Sequence, residues 1–502
     1  MAKYLLAHDI GTSGNKASLF SVEGELIRSA TVSYPVNYGA KGHAEQNPQD
    51  WWEAVCRSTK EITADIPADQ VEAISFSGQM QCCLVVDREG QVLRPAIIWA
   101  DQRAEEQAQR LREKLDGTYA YRLLGHRLSP TYSIEKLMWI RDNEPDIYEK
   151  TYKMLQVKDY IIYRMTGAFV TDYSDASGTN ALDLENLCWS REVLDAAGIS
   201  MEKLPELHNS TDVIGTLTEE AAKELGLTTS VRVVCGGGDG PCSALGAGCI
   251  EKNQMFLTFG TSAWIGGTTE KKFLDEDQIF FCFAHVIPGR YMPCGTMQSA
   301  GSAYSYIRNT FLGEEMREAE EKKISSWDLV NPLVESSPAG AKGLVFLPYL
   351  TGERAPRWNP DASAAFLGIR MYHTREDYVR AVLEGVAMNL ELILRAYRKY
   401  LDIPGMILTG GGAKGDVLAQ VMADVLDVEL VRPDHVEEAT SIAAAVIAGV
   451  GCGIYKDFGA IHSFLKFRTP VIPDEQNKRV YEKPKKIFED VYQALMPLYP
   501  EM

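Results

Sequence analysis

Twice in this chain an apolar run stops at a Gly-Thr-Ser turn and at once resumes. Tyr4 to Ile10 is followed by Gly11-Thr12-Ser13-Gly14 and then Lys16 to Ser21, and Met255 to Phe259 by Gly260-Thr261-Ser262 and then Ala263 to Ile265. A tight glycine-containing turn between two apolar stretches of strand length reads as a β-hairpin. A further strand, Leu26 to Ser33, follows Glu23-Gly24 and makes a second hairpin with the first. Self-similarity in the two halves is a clue to the whole fold, because a duplicated unit means two related domains. A three-residue match can also arise by chance, so the repeat gains its weight from what surrounds it.

Length points the same way. At 502 residues the chain exceeds the size at which a single core stops growing, so two domains with a cleft between them are expected. No Gly/Ser or Pro linker separates the halves, and the boundary is set near residues 245 to 255, giving a first domain over 1–248 and a second over 249–502. Short buried strands are expected at Val71 to Ser77, Leu84 to Asp87 and Met406 to Leu408. Helices are expected at Pro48 to Ala64, Ser133 to Asn143, Asp416 to Leu426, Ala439 to Val450 and, as an amphipathic surface helix, Lys485 to Leu498. The class is mixed α/β.

A formal charge of −18 repels polyanions and no Lys/Arg cluster offsets it, so no nucleic-acid partner is expected. A mononucleotide is not excluded, since backbone N–H groups and a metal ion can hold it. The N-terminal apolar run is too short for a secretory signal and contains Asp9. No window reaches the roughly 20 apolar residues of a membrane span. A cytoplasmic protein without membrane partners is expected. The ten cysteines show no Cys-x-x-Cys spacing and read as reduced, small core hydrophobes.

Three motifs carry chemistry. In Asp9-Ile10-Gly11-Thr12-Ser13-Gly14-Asn15-Lys16 the glycine turn joins two strands, unlike a P-loop, yet its N–H and hydroxyl groups can face phosphate oxygens. Asp9 at the strand end is placed to hold Mg²⁺ through water. An ordinary hairpin of good turn formers would look the same. In Val234-Cys235-Gly236-Gly237-Gly238-Asp239-Gly240 a strand enters three glycines, which are costly in backbone entropy unless something approaches closely. Asp239 either accepts a proton from a substrate hydroxyl or caps the helix that follows. Gly410-Gly411-Gly412-Ala413-Lys414 joins a strand to a helix whose N-terminus favours an anion, although any tight turn can use glycine.

In this order the motifs resemble the FGGY carbohydrate kinases of the sugar kinase, Hsp70 and actin superfamily, over nearly the whole chain. Supporting matches are Ser77-Gly78-Gln79-Met80, Arg94 to Trp99 with Asp101, Lys136 to Ile140, Lys158-Asp159-Tyr160, Met165 to Gly167, Ser174 to Thr179, Phe346 to Arg354 and Arg380 to Gly385. Within the family the pattern is most similar to the xylulose kinases.

The resemblance implies two ribonuclease-H-like domains around a central cleft and ATP-dependent phosphorylation of a small sugar, D-xylulose to D-xylulose 5-phosphate. It implies Asp239 as catalytic base with Asp9 assisting, and both as carboxylates for Mg²⁺. ATP would meet Gly11, Thr12, Ser13, Lys16, Gly260, Thr261, Ser262, Gly411, Gly412 and Ala413, and the sugar Gln79, Met80, Gln81, Asp101 and Asp239. It is also compatible with a homodimer. Xylulose kinases usually carry His and Asn where this chain has Gln81 and Gly240. Gln81 hydrogen-bonds but cannot carry a proton charge, which opens the pocket to another ketose, a polyol or a sugar acid. The contrasting class is a non-catalytic sugar- or ATP-binding regulator, or a chaperone-like ATPase, of the same superfamily. A chaperone would want a peptide-binding domain and a regulator a DNA-binding segment, and the sequence offers neither.

Overall fold

The computed structural model describes residues 3–502. Met1 and Ala2, which open the run read as too short for a signal, lie outside them. The N-terminal half begins with β1 (Tyr4–Ile10), β2 (Gly14–Ser21) and β3 (Leu26–Ser33), an antiparallel meander. Next come α1 (Pro48–Ile62), capped by the Asn47 side chain, and β4 (Val71–Gly78), which runs parallel to β1. A largely helical insertion, with α2 (Ser133–Asn143) and α3 (Val157–Thr166), precedes β5 (Val213–Thr216), β6 (Arg232–Val234) and β7 (Gly237–Gly238). The seven strands form one sheet in the order β5-β6-β4-β1-β2-β3, with β7 also on β4. β7 leads straight into α4 (Asp239–Gly246).

The C-terminal half builds the same plan. β8 (Met255–Phe259) and β9 (Ala263–Gly267) form the second hairpin; β10 (Phe281–Ala284) and β11 (Tyr291–Met297) extend it. After α5 (Arg375–Arg398), β12 (Gly405–Thr409) lies parallel to β8. Beyond it come α6 (Asp416–Leu426) and β13 (Glu429–Val431). The order β11-β9-β8-β12-β13 thus reproduces β3-β2-β1-β4-β6. The repeated Gly-Thr-Ser turn marks a true structural repeat, with β1 and β8 as the equivalent central strands.

One helix does not respect the division. α7 (Ala439–Gly451), from the C-terminal half, packs on β1 and β4 beside α4, where Ile442, Val446 and Ile447 meet Leu5, Ala7, Ala73 and Leu245. Its composition, small or branched apolar residues apart from Thr440 and Ser441 in the first turn, suits a helix buried on most of its circumference.

The last helix differs from expectation. α8 spans Glu475–Leu495 rather than starting after Pro484, because Asp474 accepts from the Gln476 and Asn477 N–H groups and sets the helix start ten residues earlier than Pro484 suggests. Its apolar stripe is part of the core: Tyr481, Phe488 and Tyr492 are buried, the last two against Tyr349. Seven of the ten cysteines are buried and all are free thiols, in line with their reading as core residues. Among the described residues no helix is long and apolar enough to cross a membrane.

Candidate active site

β1 and β7 both end at the cleft because each pairs in parallel with β4, so Asp9 near the end of β1 and Asp239 just after β7 arrive at the same edge of the sheet from either side of β4. They line one cavity of about 340 Å³ with Gly11, Met80, Gln81 and Ser262. Burial, and then the negative charge of Asp9, push the Asp239 carboxyl up to about 7. Burial likewise raises Asp9, opposed by the Thr440 hydroxyl that donates to its Oδ2 at 2.7 Å. Asp239 is not the helix cap: that position is Gly238, and no side chain caps α4.

The three glycines before Asp239 serve the protein's own packing. Gly236 has φ +73°, and a Cβ there would lie 2.3 Å from the Phe76 carbonyl oxygen; at Gly238 it would lie 2.7 Å from Met80. The close approach inferred from sequence is therefore that of β4 and the Met80 side chain. Behind this loop is a fully buried ionic cluster. Lys158 meets Asp159 at 2.7 Å and Asp172 at 3.0 Å, Asp172 accepts from the Ser174 hydroxyl, and Ser174 Oγ accepts from the Gly238 N–H at 3.0 Å. Buried charges are retained where each is paired and hydrogen-bonded, and here the chain of bonds ends one residue from Asp239.

The expected sugar residues divide. Met80 and Gln81 reach the cavity, and Gln81 sits in the left-handed region at φ +64°. Its conformation is held by the fully buried Lys136, whose ammonium donates to the carbonyls of Gln81, Ile98 and Thr131 and is lowered to about 8 by burial. Gln79 is buried and turned away, donating to Gln46 and the Gly11 carbonyl. Asp101 is also buried, bound to Arg103 and the Ala44 N–H. Both are braces of the cavity wall.

The nucleotide residues divide as well. Gly260, Thr261, Gly411 and Gly412 line a second cavity, of about 620 Å³, together with Tyr304 and Trp327, whose rings stack at 4.9 Å. Ser262, the next residue of the same turn, faces the Asp239 cavity, so the β8–β9 turn is the partition between the two chambers. Ala413 is buried behind it, its carbonyl accepting from Arg432. On the first hairpin Gly11 reaches the cavity, whereas the Thr12 hydroxyl accepts from Trp99 and donates to Gln79, and Ser13 is exposed with its carbonyl bound to the Tyr34 N–H. Lys16, expected at the phosphates, donates to the Glu437 carbonyl at 2.8 Å and the Glu438 carboxylate at 3.1 Å.

Several contributors were missed, and three of them bear on the chemistry. Trp99, Arg354 and Thr440 line the Asp239 cavity from distant parts of the chain. Trp99 and Arg354 stood inside family-like motifs, which was their only signal; Thr440 had none.

A family model described as the FGGY family of carbohydrate kinases, N-terminal domain, matches residues 4–246, and its C-terminal domain counterpart matches 255–452. The gluconokinase of Bacillus subtilis (strain 168) is 32% identical over 504 residues, covering 100% of this chain and 98% of its own. The xylulose kinase of the same organism is 30% identical, covering 98% and 97%. Among solved structures, a ligand-bound xylulose kinase from Lactobacillus acidophilus superposes with a TM-score of 0.92 at 28% identity, covering 99% of each chain. Paired carboxylates at a cleft between duplicated sheets, a glycine-walled chamber beside them and full-length relatives on both sides of the comparison agree: this chain belongs to the FGGY family of carbohydrate kinases.

Proposed function

We propose that the chain transfers the γ-phosphoryl group of MgATP to a hydroxyl of an open-chain sugar or sugar derivative of five or six carbons. The observation that carries this reading is the division of one turn between two chambers: Gly260 and Thr261 face the glycine-walled cavity and Ser262 the cavity of Asp9 and Asp239. A nucleotide in the first would extend its phosphates past this turn toward an acceptor in the second. D-Xylulose, giving D-xylulose 5-phosphate, is the acceptor expected from sequence, with another ketose, a polyol or a sugar acid as the alternatives.

In this reading Asp239 takes the proton of the attacking hydroxyl. A carboxylate raised to about 7 is a stronger base than an ordinary aspartate while still ionised in useful fraction near neutrality. The protein's task in phosphoryl transfer is chiefly to position reactants and to stabilise charge. Met80 and Gln81 shape the acceptor side, Lys136 fixes the Gln81 backbone, and the Ser174–Asp172–Lys158 chain fixes the loop that carries Asp239. Two neighbouring, mutually repelling carboxylates suit Mg²⁺, which uses one or two carboxylates plus water and phosphate oxygens. Asp9 and Asp239 would hold it, and the ion would neutralise phosphate charge.

The roles of Gly11, Thr261, Ser262, Gly411 and Gly412 at ATP belong to the same proposal. So do a domain division near residue 248, with α7 returning to the first sheet, action in the cytoplasm where MgATP is abundant, and a dimer to be sought by sedimentation. The deciding test is ADP release from MgATP with D-xylulose, other ketoses, polyols and sugar acids. Release that depends on one of these acceptors supports the reading; none with any acceptor overturns it in favour of a non-catalytic binding protein.

A further inference from the structure

Asp9 and the residue that holds its side chain come from opposite ends of the chain. The Asp9 backbone is fixed within β1, paired with Lys16 on β2 and Ser77 on β4. Its carboxylate is fixed from the second half: the Thr440 hydroxyl, in the first turn of α7, donates to Oδ2 at 2.7 Å. Asp9 needs such a hold. Its charge and that of Asp239 repel each other at the cavity both line, and an aspartate side chain passes easily between staggered positions. With Oδ2 committed to Thr440, Asp9 can turn only one oxygen toward a ligand.

Thr440 is itself tied down on three sides. Toward the first sheet, the Glu438 carboxylate accepts from the Lys16 ammonium at 3.1 Å and the Ser18 hydroxyl at 3.2 Å, and the Glu437 carbonyl accepts from Lys16 at 2.8 Å. Toward the glycine-walled chamber, the Lys414 ammonium donates to the Glu437 carboxylate at 2.6 Å and the Gly410 N–H to the Val436 carbonyl at 2.9 Å; Lys414 lines that chamber. Toward the catalytic loop, the backbone of Ala439 rests on Gly246 of α4, where a Cβ would collide with it, and α4 begins at Asp239. The five residues from Val436 to Thr440 thus join the nucleotide loop, the Asp9 hairpin and the helix of Asp239. Thr440 and Ser441 are the only polar side chains of α7, and Thr440 is the one that meets a carboxylate.

We propose that Thr440 is a positioning residue for the transfer: it sets the Asp9 carboxylate for Mg²⁺, in register with the nucleotide loop to which Glu437 and Lys414 tie it. This rests on the kinase reading above and deepens it, because the second half then prepares the metal carboxylate of the first. Thr440 acts through Asp9 and not on the acceptor.

The test pairs Thr440→Val, which keeps the shape and loses the donor, with Thr440→Ser, which keeps the donor, in the unaltered and Asp9→Asn backgrounds. Loss of a hydrogen bond to a charged group should lower kcat by roughly 10–10²-fold in Thr440→Val and raise the Mg²⁺ concentration for half-maximal rate, with the acceptor KM little changed. Thr440→Ser should recover most of the rate. Thr440→Val combined with Asp9→Asn should be no slower than Asp9→Asn alone, since a residue that acts only through Asp9 then has nothing left to position. Calorimetry reads the same role without turnover: the preference for MgADP over ADP in EDTA should fall about tenfold in Thr440→Val, with the affinity for ADP alone retained. Multiplied losses in the double variant, Thr440→Ser as slow as Thr440→Val, or an unaltered preference for MgADP would overturn the proposal while leaving a kinase. Absence of turnover with every acceptor in the unaltered protein would overturn the kinase reading itself, and the calorimetric comparison would still decide whether Thr440 positions Asp9.

Discussion

The β1–β2 and β8–β9 hairpins share a Gly-Thr-Ser turn and an equivalent place in their sheets, yet their side chains do opposite things. In the first turn the donors are spent inside the protein: Thr12 is bound to Trp99 and Gln79, its carbonyl accepts from Gln46, and Lys16 is bound to Glu437 and Glu438. In the second, no side-chain bond engages Thr261 or Ser262 among the described residues, and only the backbone is tied down, through Ala300, Gly301 and Ser302. The first hairpin is thus a braced support for Asp9, and the second an open face for a ligand. A motif that presents donors in isolation tells nothing about whether the fold has already used them.

That contrast can be broken at several points. The largest effect should come from the carboxylate beside the braced hairpin. Asp239→Asn should lower kcat by roughly 10²–10⁴-fold with the KM for MgATP little changed; near-normal turnover would remove the first domain from the chemistry. Next, Thr261→Ala and Ser262→Ala should each raise the KM for MgATP about tenfold or more, as expected for lost hydrogen bonds to charged oxygens, with sugar KM unaffected. Thr12→Val, the equivalent change in the first hairpin, should instead lower the melting temperature by about 2–4 °C and leave the KM for MgATP alone. A matching loss of nucleotide affinity at Thr12 would make the two turns alike after all.

The smallest effect is in the pH profile. The base works ionised, and Asp239 is raised to about 7, so kcat/KM should climb as pH rises through 7 and gain only about twofold from there to the plateau. The Lys136 ammonium, lowered to about 8, donates to three carbonyls; its loss of a proton should release the Gln81 backbone and bring the profile down again on the alkaline side. A rate that keeps rising well above 8 would show that Lys136 has no part in holding the loop.

Much of this was legible in the sequence. Local pattern and turn chemistry placed β1, β3, α2 and α6 to the residue, and the repeated hairpin foretold the duplicated sheet. What stayed hidden depends on partners far along the chain. Gln79 and Asp101 looked like ligands for a sugar because they are polar and near a family-like motif, but Gln46, Ala44 and Arg103 claim them. Thr440 reaches Asp9 across 431 positions of sequence, a separation no periodicity records. Pro484 misled because its usual effect is local, whereas the Asp474 cap and the buried Tyr481 decide where α8 begins.

The return of α7 to the first sheet bears on how the chain is made. When a ribosome has completed α4, the outer surface of β1 and β4 has no cover, because Ile442, Val446 and Ile447 have yet to be translated. Roughly two hundred further residues must be added, which at 5–20 residues per second takes on the order of ten to forty seconds. For that interval the apolar face of β1 and β4 waits for the helix that covers it, so the first sheet cannot complete its packing until α7 has been made.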